Sequence, residues 1–175
     1  MKNVQRLAFP VVTAYLLVMM ILFGAIVLET FMVYPNVFAD PPESLELTMD
    51  FLSVSAPNDF FPPLGFATWV FGAGALVLSW PVKAARWWIA FSLVMIVCEG
   101  MASILFFWPR NEIMFVEGLD VHSAEYLEQV AREFERWHWR SRMGFNAAAA
   151  VGAFVGFLRL YRHRLLSRGA PDGKE

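Results

Sequence analysis

The feature that most restricts the fold is an uncharged apolar run, Leu7–Leu28, near the start of the chain. A helix needs about 20 apolar residues to cross the hydrocarbon core of a bilayer, and this run is long enough. Lys2 and Arg6 precede it, as they would in a signal peptide. However, the run is longer than a signal-peptide core of about 7–15 residues, and no small-residue cleavage site follows. We therefore predict a retained membrane-spanning helix.

Three further apolar runs follow, and Pro81 and Pro109 are predicted to end the second and third spans. The chain is 58% hydrophobic and only 17% charged, whereas soluble domains have roughly 25% charged residues. These features predict an all-α membrane protein, a four-transmembrane-helix bundle in one domain over residues 1–175. The predicted spans cover residues 7–33, 61–80, 85–108 and 142–161, with connections over residues 35–60 and 109–141.

Both long connections contain helical patterns. In the first, Glu43–Val54 predicts a short amphipathic helix on the rim of the bundle. In the second, Ser123 is a predicted N-cap. Apolar residues then repeat at helical spacing, which predicts an extended helix that continues unbroken into the last span. Small residues at four-residue intervals in that span predict close helix packing; they are Gly144, Ala148, Gly152 and Gly156.

Lysine and arginine indicate the orientation. The N-terminus, the turn containing Lys83 and Arg86, and the C-terminal tail are basic, whereas connection 35–60 contains no Lys or Arg. The positive-inside rule then predicts that both termini are cytoplasmic and both long connections are outside. We expect a multi-pass protein in contact with the lipid bilayer, in the plasma (inner) membrane of a bacterium. No basic motif lies outside the membrane-flanking clusters, so nucleic acid is not a predicted partner.

A row of polar residues enters the last span. His138, Arg142 and Asn146 are spaced i, i+4, i+8 and share one helix face. The apolar spans contain two acids, Glu29 and Glu99. Charged side chains within a membrane are costly unless they meet partners. We therefore predict that the row meets both glutamates inside the bundle, in its outer half.

Two interpretations of this cluster remain open. It is either an ion network that fixes helix register, or a functional site such as a proton relay, a metal site or an anchor for a polar substrate. A metal site would use Glu29, Glu99 and His138, with His122 in addition. The paired E-x-x-H motif of di-iron bundles is missing, and His138 fits an aromatic belt at the membrane surface. No metal is predicted, and the cofactor is left open.

Three short motifs carry a resemblance to a known family. They are an acid at the outer end of the first span (Glu29 in LETFMVYPNVF), the turn Pro109-Arg110-Asn111, and an entry to the last span containing Trp137, Trp139 and Arg142. Over roughly Leu7–Arg164, the layout resembles a family of small four-helix membrane proteins of unknown function that includes fungal anthrone oxygenases. The resemblance implies the same four-helix fold and an oxygenase-like activity on a hydrophobic substrate.

Whether the protein is an enzyme is left open, and two functions are considered. The first is an oxygenase-like membrane protein whose outward-facing polar pocket binds a hydrophobic small molecule or lipid. In it, Glu99 is the predicted proton acceptor, Glu29 is a second catalytic acid, and Arg142 holds an anionic or enolate-like oxygen. The residues assigned to substrate binding are His138, Asn146 and Asn111.

The alternative is a non-catalytic partner subunit or lipid-binding scaffold of a membrane complex. The motive is the charged helix Ser123–Arg140, with Phe134 and Trp137 as a docking element for a membrane protein partner or a second copy of the chain. A small transporter is disfavoured, because the four spans contain neither an inverted repeat nor a broken helix.

Overall fold

The computed structural model describes residues 2–169, with side chains described over residues 7–167. The described residues form five helices, three of which contain short π-helical turns. Helix α1 consists of Lys2–Leu28, a π turn Glu29–Val33 and Tyr34–Val37. Helix α2 is Glu43–Phe51, and helix α3 is Pro57–Ser79. Helix α4 consists of Lys83–Ala102, a π turn Ser103–Phe107, Trp108–Glu112, a π turn Ile113–Glu117 and Gly118–Val121. Helix α5 consists of Ala124–His138, a π turn Trp139–Met143 and Gly144–Gly169.

The fold is the predicted all-α architecture. All helices except α2 are long and apolar enough to cross a membrane. Helix α5 packs along α4 and α1, and α3 packs against α1 and α4, which closes a four-helix bundle. The chain is therefore a multi-pass helical protein by the length and composition of its helices. Its orientation in a membrane stays a prediction.

The interior of the bundle has two apolar clusters. The larger lies along the spans and contains residues such as Val12, Met19 and Ile96. The second lies where α1 ends and α5 begins, beside the short helix α2, and we call this region the α2 end. Its buried members come from four helices, α1, α2, α4 and α5; they are Val37, Leu45, Phe107, Met114, Leu127, Val130, Ala131 and Phe134.

Two of the four small residues predicted to bring α5 close to a neighbour do so. A Cβ atom added at Gly152 would lie 2.9 Å from the Ser92 Cβ, and one at Gly156 would lie 2.7 Å from Ile89 Cγ1. Both contacts are on α4, and both are closer than carbon atoms normally approach. A Cβ atom at Gly144 would meet nothing closer than 3.8 Å. Of the glycines in the predicted row, only Gly152 and Gly156 therefore lie too close to α4 to carry a side chain.

Two predicted helix ends are wrong. Pro109 was expected to end the third span, and the first span was expected to end at residue 33, before Pro35, but α4 continues to Val121 and α1 to Val37. A proline in an α-helix leaves the carbonyl four residues earlier without its donor. In a π turn, a carbonyl bonds the amide five residues later, so this carbonyl does not need the missing amide. Each proline lies two residues after a π turn, which explains why both helices continue.

The helix before the last span is continuous with that span, as predicted. Ser123 caps this helix, because the Ser123 hydroxyl accepts a hydrogen bond from the Tyr126 amide at 3.3 Å.

The predicted role of this helix as a docking element needs correction. Phe134 is only 1% exposed and packs inside the protein's own second cluster, whereas Trp137 is 47% exposed. The side of this helix that carries Phe134 is therefore already occupied.

Candidate functional site

Arg142 lies at the centre of a buried polar cluster near the α2 end. Its Nε atom donates to Glu99 Oε1 at 3.2 Å, and its Nη1 atom lies 3.9 Å from Glu29 Oε2. The three side chains are 9–10% exposed. The structure therefore places the guanidinium between one acid from α1 and one from α4, the arrangement expected from the scarcity of charges in the spans.

A tyrosine completes this arrangement. The Tyr34 hydroxyl donates to Glu29 Oε2 at 3.2 Å and accepts a hydrogen bond from Arg142 Nη1 at 3.2 Å. On the other side, the Ser103 hydroxyl donates to Glu99 Oε1 at 2.8 Å. One oxygen of Glu99 thus accepts two hydrogen bonds, while Glu29 is held by a phenol and a more distant cation.

Three π turns contribute to this cluster. Glu29 is the first residue of one, Ser103 is the first residue of another, and Arg142 lies in the third. Single π turns inserted in α-helices are rare and occur frequently at functional sites. Their convergence on one set of hydrogen-bonded side chains is a feature that ordinary helix packing does not require.

His138 is buried beside the cluster but bonds a different partner. Its Nε2 atom is 2.7 Å from the Thr30 hydroxyl, which itself donates to the Ile26 carbonyl at 2.6 Å. Since that hydroxyl has one hydrogen, His138 Nε2–H is the donor to Thr30, which leaves Nδ1 as the acceptor. The ring also packs edge-on to Tyr34, with centroids 4.7 Å apart. His138 therefore lies against α1, rather than in a belt at the bundle surface.

A cavity of about 580 Å³ opens above Arg142 at the α2 end. Glu29, Tyr34 and Arg142 form its floor, and α2 and the first turns of α3 form part of its wall. Most of its lining is apolar, and aromatic rings contribute from two helices: Phe61, Trp108 and Phe115. The Arg142 guanidinium carbon lies 5.5 Å from the Phe61 ring centroid. This combination of an apolar wall with a few converging polar groups is typical of a small-molecule site.

The residues predicted to bind substrate are distributed unevenly around this cavity. Asn111 lines it, as do Glu29 and Arg142. Asn146 is fully buried below it and donates to the Arg142 carbonyl at 3.0 Å. His138 and Glu99 are also behind the floor, outside the residues that line the cavity. The roles assigned to all six residues stay predictions.

Three residues of the cluster were not assigned roles from the sequence: Tyr34, Thr30 and Ser103. Ser103 carries the clearest signal, since it lies one helical turn beyond Glu99. Tyr34 follows Glu29 by five residues, a spacing that brings two side chains together in a π turn but not in an α-helix.

The polar groups do not form an evident metal centre. Among residues 2–169, no group of three or more His, Cys, Asp or Glu side chains is arranged to hold a metal ion. His122, considered as an additional ligand, pairs instead with Glu117 at 2.6 Å. The two carboxylates beside Arg142, which could otherwise act as metal ligands, already accept hydrogen bonds: Glu29 from Tyr34, and Glu99 from Ser103 and Arg142.

The fold and this site define a class: a helical multi-pass protein with a charged, hydrogen-bonded floor beneath an apolar cavity. Comparison of the chain with protein-family models, with curated proteins and with solved structures finds no match. The resemblance to the family that includes fungal anthrone oxygenases therefore stays a prediction.

Proposed function

We propose that this protein binds an amphiphilic, hydrophobic molecule in the cavity and removes a proton from its polar end, as the first step of an oxygenase-like reaction. The observation that carries the proposal is the floor itself. A carboxylate, a phenol and a guanidinium are hydrogen-bonded together at the base of a cavity whose walls are mostly apolar. The walls suit a hydrophobic body, and the floor suits a single polar group.

The charge of the cluster restricts the protonation state of the ligand that can enter the site. Glu29 and Glu99 share one cation, Arg142, so the cluster is one positive charge short of neutrality when both acids are ionised. Transfer of a proton from a neutral ligand to Glu29 leaves the site with the same single excess negative charge, which moves from the acid to the ligand. A ligand that is already anionic would add a second negative charge to a buried site, which is costly in apolar surroundings. The preferred polar end is therefore one that donates a hydrogen bond.

Glu29 is a better proton acceptor than Glu99, to which the sequence-based hypothesis gave this role. Glu29 lines the cavity, and a general base has to be within hydrogen-bond reach of the proton that it removes. Glu99 is held by Arg142 Nε and Ser103, and we assign it to positioning the guanidinium. Arg142 would stabilise the oxyanion left on the ligand. The Tyr34 hydroxyl donates to ionised Glu29, and protonation of Glu29 would release it to donate to the oxyanion as well.

The experiment uses anthrone as the probe, because its enol tautomer, anthrol, carries at its polar end the hydroxyl that Glu29 would deprotonate; the protein is reconstituted in lipid nanodiscs under air. Anthrone and dioxygen would give anthraquinone and water, and anthraquinone is measured by absorbance. We expect the Glu29→Gln variant to lose about 100-fold or more of the rate above background, the contribution of one general base. Glu112→Gln is the matched control, because Glu112 also lines the cavity but lies outside the floor cluster.

Binding is measured separately by equilibrium dialysis of anthrone. Glu29→Gln is expected to bind anthrone and to stay monodisperse, so that a lost rate reports chemistry and not misfolding. Full activity in that variant would remove Glu29 from the role of base. If the parent protein neither binds anthrone nor oxidises it, the proposal fails for this substrate class.

The alternative function, a non-catalytic partner subunit or scaffold, is less well supported. Its motive was a free docking face on the helix that precedes the last span, and Phe134 of that face is buried in the protein's own second cluster. Trp137 and Trp139 remain exposed. Their exposure is equally expected of aromatic residues at a membrane surface.

A further inference from the structure

We propose that α2 lies in the interface of the bilayer, with Leu47 and Phe51 in the acyl-chain layer, and that the cavity takes its ligand from the membrane beneath this helix. The entry route rests on the proposed function, but the position of α2 does not. The inference comes from the way in which nine residues of α2, Glu43–Phe51, divide their side chains among three surroundings.

The inner face of α2 is occupied by the protein. Leu45 is 1% exposed and belongs to the second apolar cluster. Thr48 and Met49 line the cavity, as does Leu52 directly after the helix. The helix packs against Tyr34–Val37 of α1 and the π turn Ile113–Glu117 of α4. Helix α2 therefore forms a wall of the cavity, and its inner face is fully used.

A second face is apolar and faces outward. Leu47 and Phe51 are 72% and 83% exposed, and they lie one helical turn apart on the same side. Val54, just beyond the helix, is 96% exposed. Large apolar side chains at this exposure are unfavourable in water, since burial of apolar surface is the main favourable term in protein association. A short helix with an apolar outward face fits a membrane interface.

The acids of α2, Glu43, Glu46 and Asp50, are all exposed. Glu46 and Asp50 form a third face, whereas Glu43, in the first turn, lies on the same side as Leu47. No Lys or Arg is present in residues 35–60, so anionic lipid head groups are not attracted to this helix. The occupant of the apolar face is therefore hydrocarbon and not a charged head group. When Leu47 and Phe51 point into the acyl layer, the acidic face points toward water.

The spans on either side of α2 in the chain also present large apolar side chains outward. Phe31 and Met32, near the end of α1, are 62% and 58% exposed, and Phe60, in the first turns of α3, is 48% exposed. These residues flank α2 in the chain on both sides. A bilayer that covers the outer faces of α1 and α3 would therefore extend to the base of α2.

The same geometry suggests the route of the ligand. The first turns of α3 also line the cavity and contribute Pro57, Asn58 and Phe61. Residues 52–56 join the two helices without regular helix. A hydrophobic molecule dissolved in the bilayer would pass between α2 and α3, and its polar end would then meet the floor.

The experiment measures the depth of α2 by spin labelling. Nitroxides are placed at Phe51→Cys and, as the matched control one residue away, at Asp50→Cys, in a Cys98→Ser background. The protein is reconstituted in dioleoylphosphatidylcholine nanodiscs. We expect the label at position 51 to be relaxed more by dioxygen, which partitions into hydrocarbon, than by a water-soluble nickel chelate. The label at position 50 is expected to show the reverse order.

Equal access of the nickel chelate to both labels would overturn the position of α2. The route is tested with Phe51→Asp, which changes the outward face and not the cavity lining. Anthrone loaded into the nanodisc lipid should bind this variant more slowly than the parent, with unchanged affinity in detergent. Equal binding rates would overturn the route. If anthrone fails to bind either protein, the proposed function fails, while the spin-label result still decides the position of the helix.

Discussion

Removal of Arg142 should destabilise the protein far more than removal of either acid that it contacts. The distances of 3.2 Å to Glu99 and 3.9 Å to Glu29 correspond to attractions of about 5 and about 4 kcal/mol at an effective dielectric constant of about 20. Desolvation of the charges offsets much of this. Breaking a buried pair by removing one partner nevertheless costs about 3–5 kcal/mol, because an uncompensated charge stays behind.

The two kinds of variant differ in what they leave behind. Arg142→Met leaves two carboxylates without a cation, and we expect a loss of about 3–5 kcal/mol in the free energy of unfolding. Glu99→Gln leaves Arg142 paired with Glu29 and bonded to Tyr34, and it also relieves the excess negative charge. We expect it to cost only about 1–3 kcal/mol, the cost of one impaired charged hydrogen bond.

The assay is unfolding of the purified protein in mixed micelles by increasing mole fractions of sodium dodecyl sulfate, followed by circular dichroism. The triple variant Arg142→Met, Glu29→Gln, Glu99→Gln serves as the control, because it removes the charges together. It should be more stable than Arg142→Met alone. The reasoning is refuted if Glu99→Gln costs as much as Arg142→Met, or if the triple variant is the least stable of the set.

Two further predictions use the same unfolding assay. Gly156→Ala should cost about 1–3 kcal/mol by overpacking, because the new Cβ atom would meet Ile89 Cγ1 at 2.7 Å, whereas Gly24→Ala, with nothing within 4 Å, should not destabilise the protein. Equal stability of these two variants would contradict the packing of α4 on α5. Tyr34→Phe keeps the aromatic ring but removes the hydroxyl that bridges the acid and the guanidinium, and it should cost about 1–3 kcal/mol; an unchanged unfolding curve would show that the bridge contributes nothing.

The helical bundle could be predicted from the sequence because length and apolarity alone decide it. A run such as Leu7–Leu28 has few alternatives to a membrane-length helix. The pairing of Arg142 with both glutamates could also be predicted, since the spans offer a buried cation few other partners. In both cases, a strong physical cost leaves little choice, and the pattern of residue types is enough to identify the outcome.

The cavity could not be predicted in the same way, because it depends on how α2 is placed. Residues 43–54 were expected to form a rim helix, which in the structure covers Glu43–Phe51, but the sequence does not state that Thr48 and Met49 line the same cavity as Glu29. The difference between the two acids has the same origin. Both Glu29 and Glu99 are single acids in apolar spans, and only the tertiary structure decides that Glu29 lines the cavity and Glu99 does not.

The π turns explain why the polar row was understood only in part. Helical spacing of 3.6 residues puts His138, Arg142 and Asn146 on one face, but the π turn Trp139–Met143 separates the first two. His138 bonds Thr30 on α1, while Arg142 reaches Glu99 on α4. A π turn adds one residue to a helical turn and so redirects the side chains that follow it. A proline two residues later marks two of the four π turns in the described chain, but the turn that holds Arg142 has no such mark, and its effect on the site could emerge only from the packed bundle.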